Sequence, residues 1–116
     1  MNSGPEAVLQ QIEELLSAPT SGACAPTLAR MEDTLTEGYA QALALEAERW
    51  RLEQRLGEVA RTVGGPDPDV SRFAEELSVV AKRLTSADGE LANLRALLGS
   101  LRDRARSMRR SALAAH

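Results

Sequence analysis

Aromatic side chains are scarce in this chain. Tyr39, Trp50 and Phe73 are its only three aromatic residues, one of each kind. Buried rings are a major source of apolar contact area in most compact cores. Ala, Leu, Glu and Arg dominate here instead, a composition typical of long helices. The composition therefore predicts an all-α chain and excludes a core organised around aromatic residues.

Cysteine and histidine are almost absent as well. Cys24 has no second cysteine with which to form an internal disulfide, and His116 is the only histidine. Metal sites need several converging His, Cys or carboxylate ligands. The adjacent glutamates at 13–14 and 75–76 point in different directions on a helix and do not converge on a substrate. We therefore expect no catalytic, cofactor or metal site and no enzymatic activity.

Long apolar runs and a leader pattern are also missing. No segment approaches the run of about 20 apolar residues that crosses a bilayer. Residues 1–16 contain three glutamates and no basic cluster, unlike a secretory signal. The formal net charge of -3 sets no strong preference for nucleic acid. We expect no membrane partner, and a cytoplasmic location, or a nuclear one in a eukaryote.

The strongest positive signal is a long apolar repeat. From Val70 to Ala112 an apolar residue recurs alternately at every third and fourth position without exception. A 3.5-residue repeat is the pattern of a helix that packs along another helix. We call these positions the seam of that helix. They are Val70, Phe73, Leu77, Val80, Leu84, Ala87, Leu91, Leu94, Leu98, Leu101, Ala105, Met108 and Ala112.

The preceding segment carries a similar seam, interrupted at Gly38 and Arg49. At Arg49 two interpretations stay open: the polar residue fixes the helix register, or its stem packs while its guanidinium reaches solvent. Gly89 falls at an outward position of the later repeat, so we expect an unbroken helix there. The seam of the preceding segment consists of Leu28, Met31, Leu35, Gly38, Ala42, Leu45, Arg49, Leu52, Leu56, Val59 and Val63.

Proline, glycine and small residues divide the chain. Ser3 and Glu6 form a capping-box pair before a first amphipathic segment. A stretch of small residues follows it, and Gly64-Gly65-Pro66 separates the two seams. We predict a single helical domain over 1–116, with a short helix at 5–17, a linker at 18–25, a long helix at 26–63, a turn at 64–68 and a second long helix at 69–112.

The short turn forces the two long helices to lie antiparallel. Leu35 then faces Leu98, and the acidic start of the first long helix faces the basic end of the second. Because two helices alone bury little surface, other elements must cover them. The predicted fold is a long antiparallel helical hairpin, or coiled coil, with a short N-terminal helix, completed as a bundle by oligomerisation.

Several large side chains lie off the seams. Tyr39, Leu43, Ala47 and Trp50 follow a 4-4-3 spacing on the first long helix, and we call them the α2 stripe. Exposed apolar patches of this kind usually mark partner surfaces, so we predict a partner interface. The alternative is that the rings simply lie flat on the surface. The second long helix has similar off-seam residues: Val79, Leu97 and Leu113.

An arginine-rich segment near the C-terminus is the second candidate site. It offers a contact for nucleic acid or another anion. The alternative is structural, since cations suit a helix C-terminus and neutralise acidic neighbours. Asp103 within the run and the lack of interleaved aromatics favour the structural interpretation. The five arginines are Arg102, Arg104, Arg106, Arg109 and Arg110.

These patterns together predict a non-enzymatic coiled-coil protein. It would act as an assembly subunit or adaptor through helix–helix interfaces, with a protein partner or with itself as a homodimer. The alternative is a small regulator that binds a transcription factor, or that contacts nucleic acid through its Arg-rich segment.

Overall fold

Three α-helices account for most of the described chain. The computed structural model describes residues 4–22, 25–63 and 70–114. The helices are α1 (Pro5–Ser17), α2 (Leu28–Val63) and α3 (Val70–Ala114), and none of these described ranges contains a strand. The predicted all-α hairpin with a short N-terminal helix is confirmed. The predicted turn at 64–68 lies outside the described residues.

Two prolines set the limits of α1. Pro5 is its first residue, where the missing N–H removes no helical hydrogen bond. Gly4 is the N-cap. The predicted capping box involves Ser3, which lies outside the described residues. At the other end Ala18 is extended (φ -72, ψ 156) because Pro19 disfavours a helical residue before it.

The long helices begin slightly later than their predicted starts. Thr27 caps α2, because its hydroxyl oxygen accepts the Arg30 N–H at 3.1 Å and its carbonyl accepts the Met31 N–H at 3.2 Å. The helix therefore starts at Leu28, two residues after the predicted position 26. Helix α3 starts at Val70, one residue late, extends two residues past 112, and continues through Gly89 without a break.

Internal contacts divide the chain into two compact units. The first combines Met1–Leu43 with Asn93–His116 and therefore holds α1, the start of α2 and the end of α3. The second, Ala44–Ala92, holds the rest of α2 and the start of α3.

Helices α2 and α3 are antiparallel within each unit. In the first unit, early Glu32 of α2 pairs with late Arg109 of α3, with Oε2 and Nη2 2.8 Å apart. In the second unit, Arg55 of α2 forms an ion pair with Glu76 of α3. Such pairs are worth little individually at an exposed surface, but they mark the direction of the pairing.

The first unit has a core to which all three helices contribute. Ile12 of α1, Leu94 and Leu101 of α3 have no exposed surface, and Met31 of α2 is 1 % exposed. The α3 residues Leu94 and Leu101 belong to the predicted seam, so the seam is the face that the unit buries. Helix α1 supplies the third side because its apolar stripe also includes the fully buried Val8.

Gly38 is the point of closest approach in this core. A Cβ atom added there would overlap the Leu98 side chain and would lie 3.6 Å from Ile12 Cδ1. The absent side chain thus allows α1 and α3 to contact α2 at one level. In the sequence Gly38 is only an exception to the apolar pattern, and Leu98 is expected to face Leu35. The structure shows that Leu98 also lies against Gly38.

The second unit buries its seam less completely. Val59 and Val80 are buried, whereas Leu56 of α2 and Leu77 and Leu84 of α3 are only half-buried. Leu45 and Leu91 of the same unit are buried, so only part of this seam is covered. Two helices cover each other along one line only, and the three half-buried leucines keep one flank open. The predicted seam residues therefore lie on the correct face of each helix, but not all of them are buried in the second unit.

We expect Leu94→Ala to lower the free energy of unfolding by about 2–5 kcal/mol, because it leaves a cavity in the first core. Leu77→Ala should cost less, since Leu77 is only half-buried. Urea denaturation measures both changes. Glu75→Ala, at an exposed position of the same helix, is the control and should alter stability by only a few tenths of a kcal/mol, at about the level of surface substitutions. Equal losses in all three variants would contradict the assigned seam.

Gly38→Ala tests the close approach against a matched glycine. Gly89 is also inside a helix, but an added Cβ there meets nothing within 4 Å. Gly89→Ala should therefore stabilise the protein by about 1 kcal/mol through helix propensity alone. At Gly38 the same gain is opposed by overpacking of about 1–3 kcal/mol. Thermal melting should show Gly38→Ala well below Gly89→Ala; equal shifts would mean that the helices are not in tight contact there.

Candidate functional site

The α2 stripe is open to solvent along α2. Tyr39 is 44 % exposed, Leu43 66 % and Trp50 62 %, and Ala47 is exposed as well. The first two residues belong to the first unit and the last two to the second. They are exposed because the seam at neighbouring positions turns the opposite side of α2 toward the core. No described part of the chain covers these side chains.

The off-seam residues of α3 differ among themselves. Val79 is 51 % exposed and Leu113 is 71 % exposed, whereas Leu97 is half-buried. Val79 lies in the second unit and Leu113 in the first. Each unit therefore presents exposed apolar side chains on α3 in addition to those on α2.

Arg104 is engaged with the C-terminal end of α1. Its Nη1 atom donates to the carbonyl oxygens of Leu15, Leu16 and Ala18 at 3.1, 2.6 and 3.5 Å. The last carbonyls of a helix have no partners within the helix, and its C-terminus carries a partial negative charge. A guanidinium satisfies both needs, so Arg104 caps the C-terminal end of α1.

The other four predicted arginines are all exposed. Arg109 pairs with Glu32 across the helices at 2.8 Å. Within the described chain, Arg102 forms an ion pair only with its neighbour Asp103, with Nε and Oδ1 3.8 Å apart. Arg106 and Arg110 face solvent, and neither forms an ion pair with a described residue. The five arginines thus divide into a helix cap, an interhelical pair and three side chains available to a partner.

A groove between α2 and α3 in the first unit was not predicted. It measures about 320 Å³, and we call it the basic groove. The rim residues of each helix recur at intervals of four and then three positions, the spacing of residues that flank a heptad seam. This spacing on both helices is the signal in the sequence that could have predicted the groove. The lining consists of Glu32, Leu35, Thr36 and Tyr39 of α2 and Arg102, Ala105, Arg106 and Arg109 of α3.

Arg49 of the second unit forms interhelical and intrahelical contacts. Its Nε atom lies 2.8 Å from Asp88 Oδ1 of α3 and 3.2 Å from Glu53 Oε1 one turn along α2. The side chain is 44 % exposed, so the guanidinium lies at the edge of the seam. Both earlier interpretations describe part of this arrangement, since the group reaches solvent and also bridges to one position on α3.

Two further searches apply to the described residues. In those ranges, no group of three or more His, Cys, Asp or Glu residues is placed to hold a metal ion. The same ranges contain no helix of sufficient length and apolar character to span a bilayer. Cys24 and His116 lie outside the described residues.

Comparison of the chain with protein-family models, with curated proteins and with solved structures found no significant match.

Arg104→Gln should destabilise the protein by about 1–3 kcal/mol, because it leaves carbonyls at the end of α1 without a charged donor. Arg106→Gln removes the same charge two residues along the helix, without a described partner, and should be close to neutral. Chemical denaturation compares the two variants. Amide hydrogen exchange should also show that the loss of protection in Arg104→Gln is greatest in α1. Equal effects of the two substitutions would contradict the capping role.

Proposed function

We propose that this protein works by assembly, through helix–helix interfaces, and carries out no chemical step of its own. The observation that carries the proposal is the incomplete core of the second unit. Leu56, Leu77 and Leu84 stay half-buried there although they occupy the seam, and Trp50 is 62 % exposed on the same unit. Surface of this kind is stabilised when another helix covers it.

A second copy of the chain is the partner that we propose for this surface. Two hairpins packed against each other give four helices, an arrangement that encloses a core where two helices do not. A twofold interface would place the same residues of both copies in contact. Trp50 is suited to the centre of such an interface, since tryptophan is enriched among the residues that dominate binding energy. An adaptor role follows if a different helical protein replaces the second copy.

The alternative proposal is a regulator that contacts nucleic acid or a transcription factor through the Arg-rich segment. Arg106 and Arg110 support it, because both are exposed and lack an acidic partner among the described residues. Arg104 and Arg109 detract from it, since each is already engaged within the protein. Salt-dependent retention on a nucleic-acid column distinguishes this function from assembly.

Substitution of the α2 stripe tests the assembly proposal. Trp50→Ala and Leu43→Glu should each reduce the molar mass measured by light scattering to that of one chain. Far-UV circular dichroism should remain helical, because both side chains are largely exposed. Ala44→Glu is the matched control: it places the same charge on the adjacent exposed residue, about 100° around the helix.

The single tryptophan provides an independent measurement on the unmodified protein. Its emission maximum should shift to longer wavelength on dilution, as Trp50 passes from an interface to water. A wild-type protein that has the mass of one chain at every concentration, with the emission of free indole, would overturn self-assembly. Retention of the assembled mass in both stripe variants would instead place the interface elsewhere.

A further inference from the structure

The basic groove lies on the side of the first unit that α1 does not occupy. Successive residues of an α-helix are separated by about 100°. Arg102 and Arg106 are therefore each about 160° around α3 from Arg104, which contacts α1. On α2, Thr36 is about 160° from Gly38, which lies against Ile12 of α1. One face of this helix pair thus holds α1, and the opposite face holds the open groove.

The base of the groove is apolar and its rims differ. Leu35 and Ala105 line it and are 9 % and 4 % exposed. Thr36 and the half-exposed Tyr39 form part of the α2 rim. Leu43, 66 % exposed, follows Tyr39 by one helical turn in the same unit and extends the apolar surface. An occupant must therefore present a line of apolar side chains as well as polar ones.

The charge of the groove is predominantly positive. Three arginines line it against a single carboxylate, that of Glu32, which Arg109 already binds at 2.8 Å. Arg102 and Arg106, one helical turn apart, receive no carboxylate from another described helix. Two guanidinium groups at this spacing match two carboxylates one turn apart on a facing helix.

The chain itself contains a helix of the required chemistry on the other face. Helix α1 has an apolar side that is fully buried at Val8 and Ile12, and it carries three glutamates and no basic residue. Arg104 of α3 binds backbone carbonyls at the end of this helix and not its glutamates. The opposite face of the same helix pair repeats this combination, with arginines beside an apolar floor.

We propose that the basic groove binds an acidic amphipathic helix of a partner protein. The partner would place its apolar side on Leu35 and Ala105 and its carboxylates beside Arg102 and Arg106. The apolar floor favours a helix over nucleic acid, whose phosphates would gain nothing from it. This inference rests on the proposed function in one respect: the protein acts through helix–helix interfaces.

A synthetic peptide provides the test. The probe is a fluorescein-labelled helix of three heptads with Leu at the seam and Glu at the flanking positions, and the protein is the full chain. Fluorescence anisotropy should rise to saturation for this peptide and not for its counterpart with Lys in place of Glu. Arg102→Glu with Arg106→Glu should weaken binding by at least about tenfold, because attraction becomes repulsion at two sites. Binding should also weaken with added salt.

A matched pair of substitutions controls for net charge. Arg51→Glu with Arg83→Glu changes the charge by the same amount at exposed positions of the second unit and should leave peptide affinity unchanged. Absence of saturable binding to the wild-type protein would overturn the inference. So would equal binding of the Lys peptide, or an equal loss in both variant pairs. Binding of labelled single-stranded DNA with no binding of either peptide would assign the groove to nucleic acid instead.

The outcome is separable from that of the assembly proposal. Arg102→Glu with Arg106→Glu should leave the molar mass by light scattering at the wild-type value. Dissociation of the assembly in that variant would mean that a second copy occupies the groove, which overturns the acidic-partner inference. Conversely, a protein that has the mass of one chain at every concentration but still binds the acidic peptide would overturn self-assembly and support the groove as a binding site.

Discussion

The close approach of Leu98 of α3 to α2 at Gly38 is the tightest packing constraint that the glycines of the first unit reveal. Gly38 has no side chain, so Ile12 of α1 and Leu98 of α3 both approach the α2 backbone at the same level. A larger residue would overlap the Leu98 side chain. Helix α1 packs on this side of the helix pair, and its end is within reach of Arg104. It also leaves the opposite face of the helix pair uncovered, which is where the basic groove lies.

The difference between the two units follows from helix number. The core of the first unit is surrounded by three helices, and residues such as Leu94 and Leu101 are completely buried. In the second unit the same seam continues with the same residue types, yet Leu77 and Leu84 remain half-buried. The sequence pattern is constant, so the cause is geometric: these leucines lack a neighbour on one flank. Partly uncovered seam leucines therefore mark the second unit, although Leu45 and Leu91 are buried there.

The main elements of the fold were predictable because they depend on local spacing. A repeat that keeps its phase across Gly89 requires one continuous helix, and α3 is continuous there. The termini were less accurate: the predicted long helix began at residue 26, whereas Thr27 caps α2 and Leu28 is its first residue. Exposure of Leu43 and Trp50 was also predictable, because both lie off the seam. A partner for them was not predictable, since exposure shows which side chains are uncovered and not what covers them.

The features that the sequence did not reveal all depend on contacts between residues that are far apart in the chain. Arg104 lies near the end of α3, yet the carbonyls that it binds belong to α1, almost ninety positions earlier in the chain. Gly38 resembles a defect in the seam until Ile12 is placed beside it. The basic groove needs two rims from helices that are remote in sequence. In each case the local pattern was visible, but its meaning depended on which residues the fold brings opposite to it.

The arginines of the Arg-rich segment have different roles. Arg104 binds backbone carbonyls at the end of α1. Arg109 of α3 binds Glu32 of α2. Arg106 is exposed and lines the basic groove. The helical repeat distributes these side chains around α3, so neighbours in sequence meet different surroundings. The contacts of Arg104 and Arg109 stabilise the first unit internally, whereas Arg106 forms no ion pair with a described residue. An uncompensated guanidinium beside an apolar floor is the arrangement that a helix bearing carboxylates would complete.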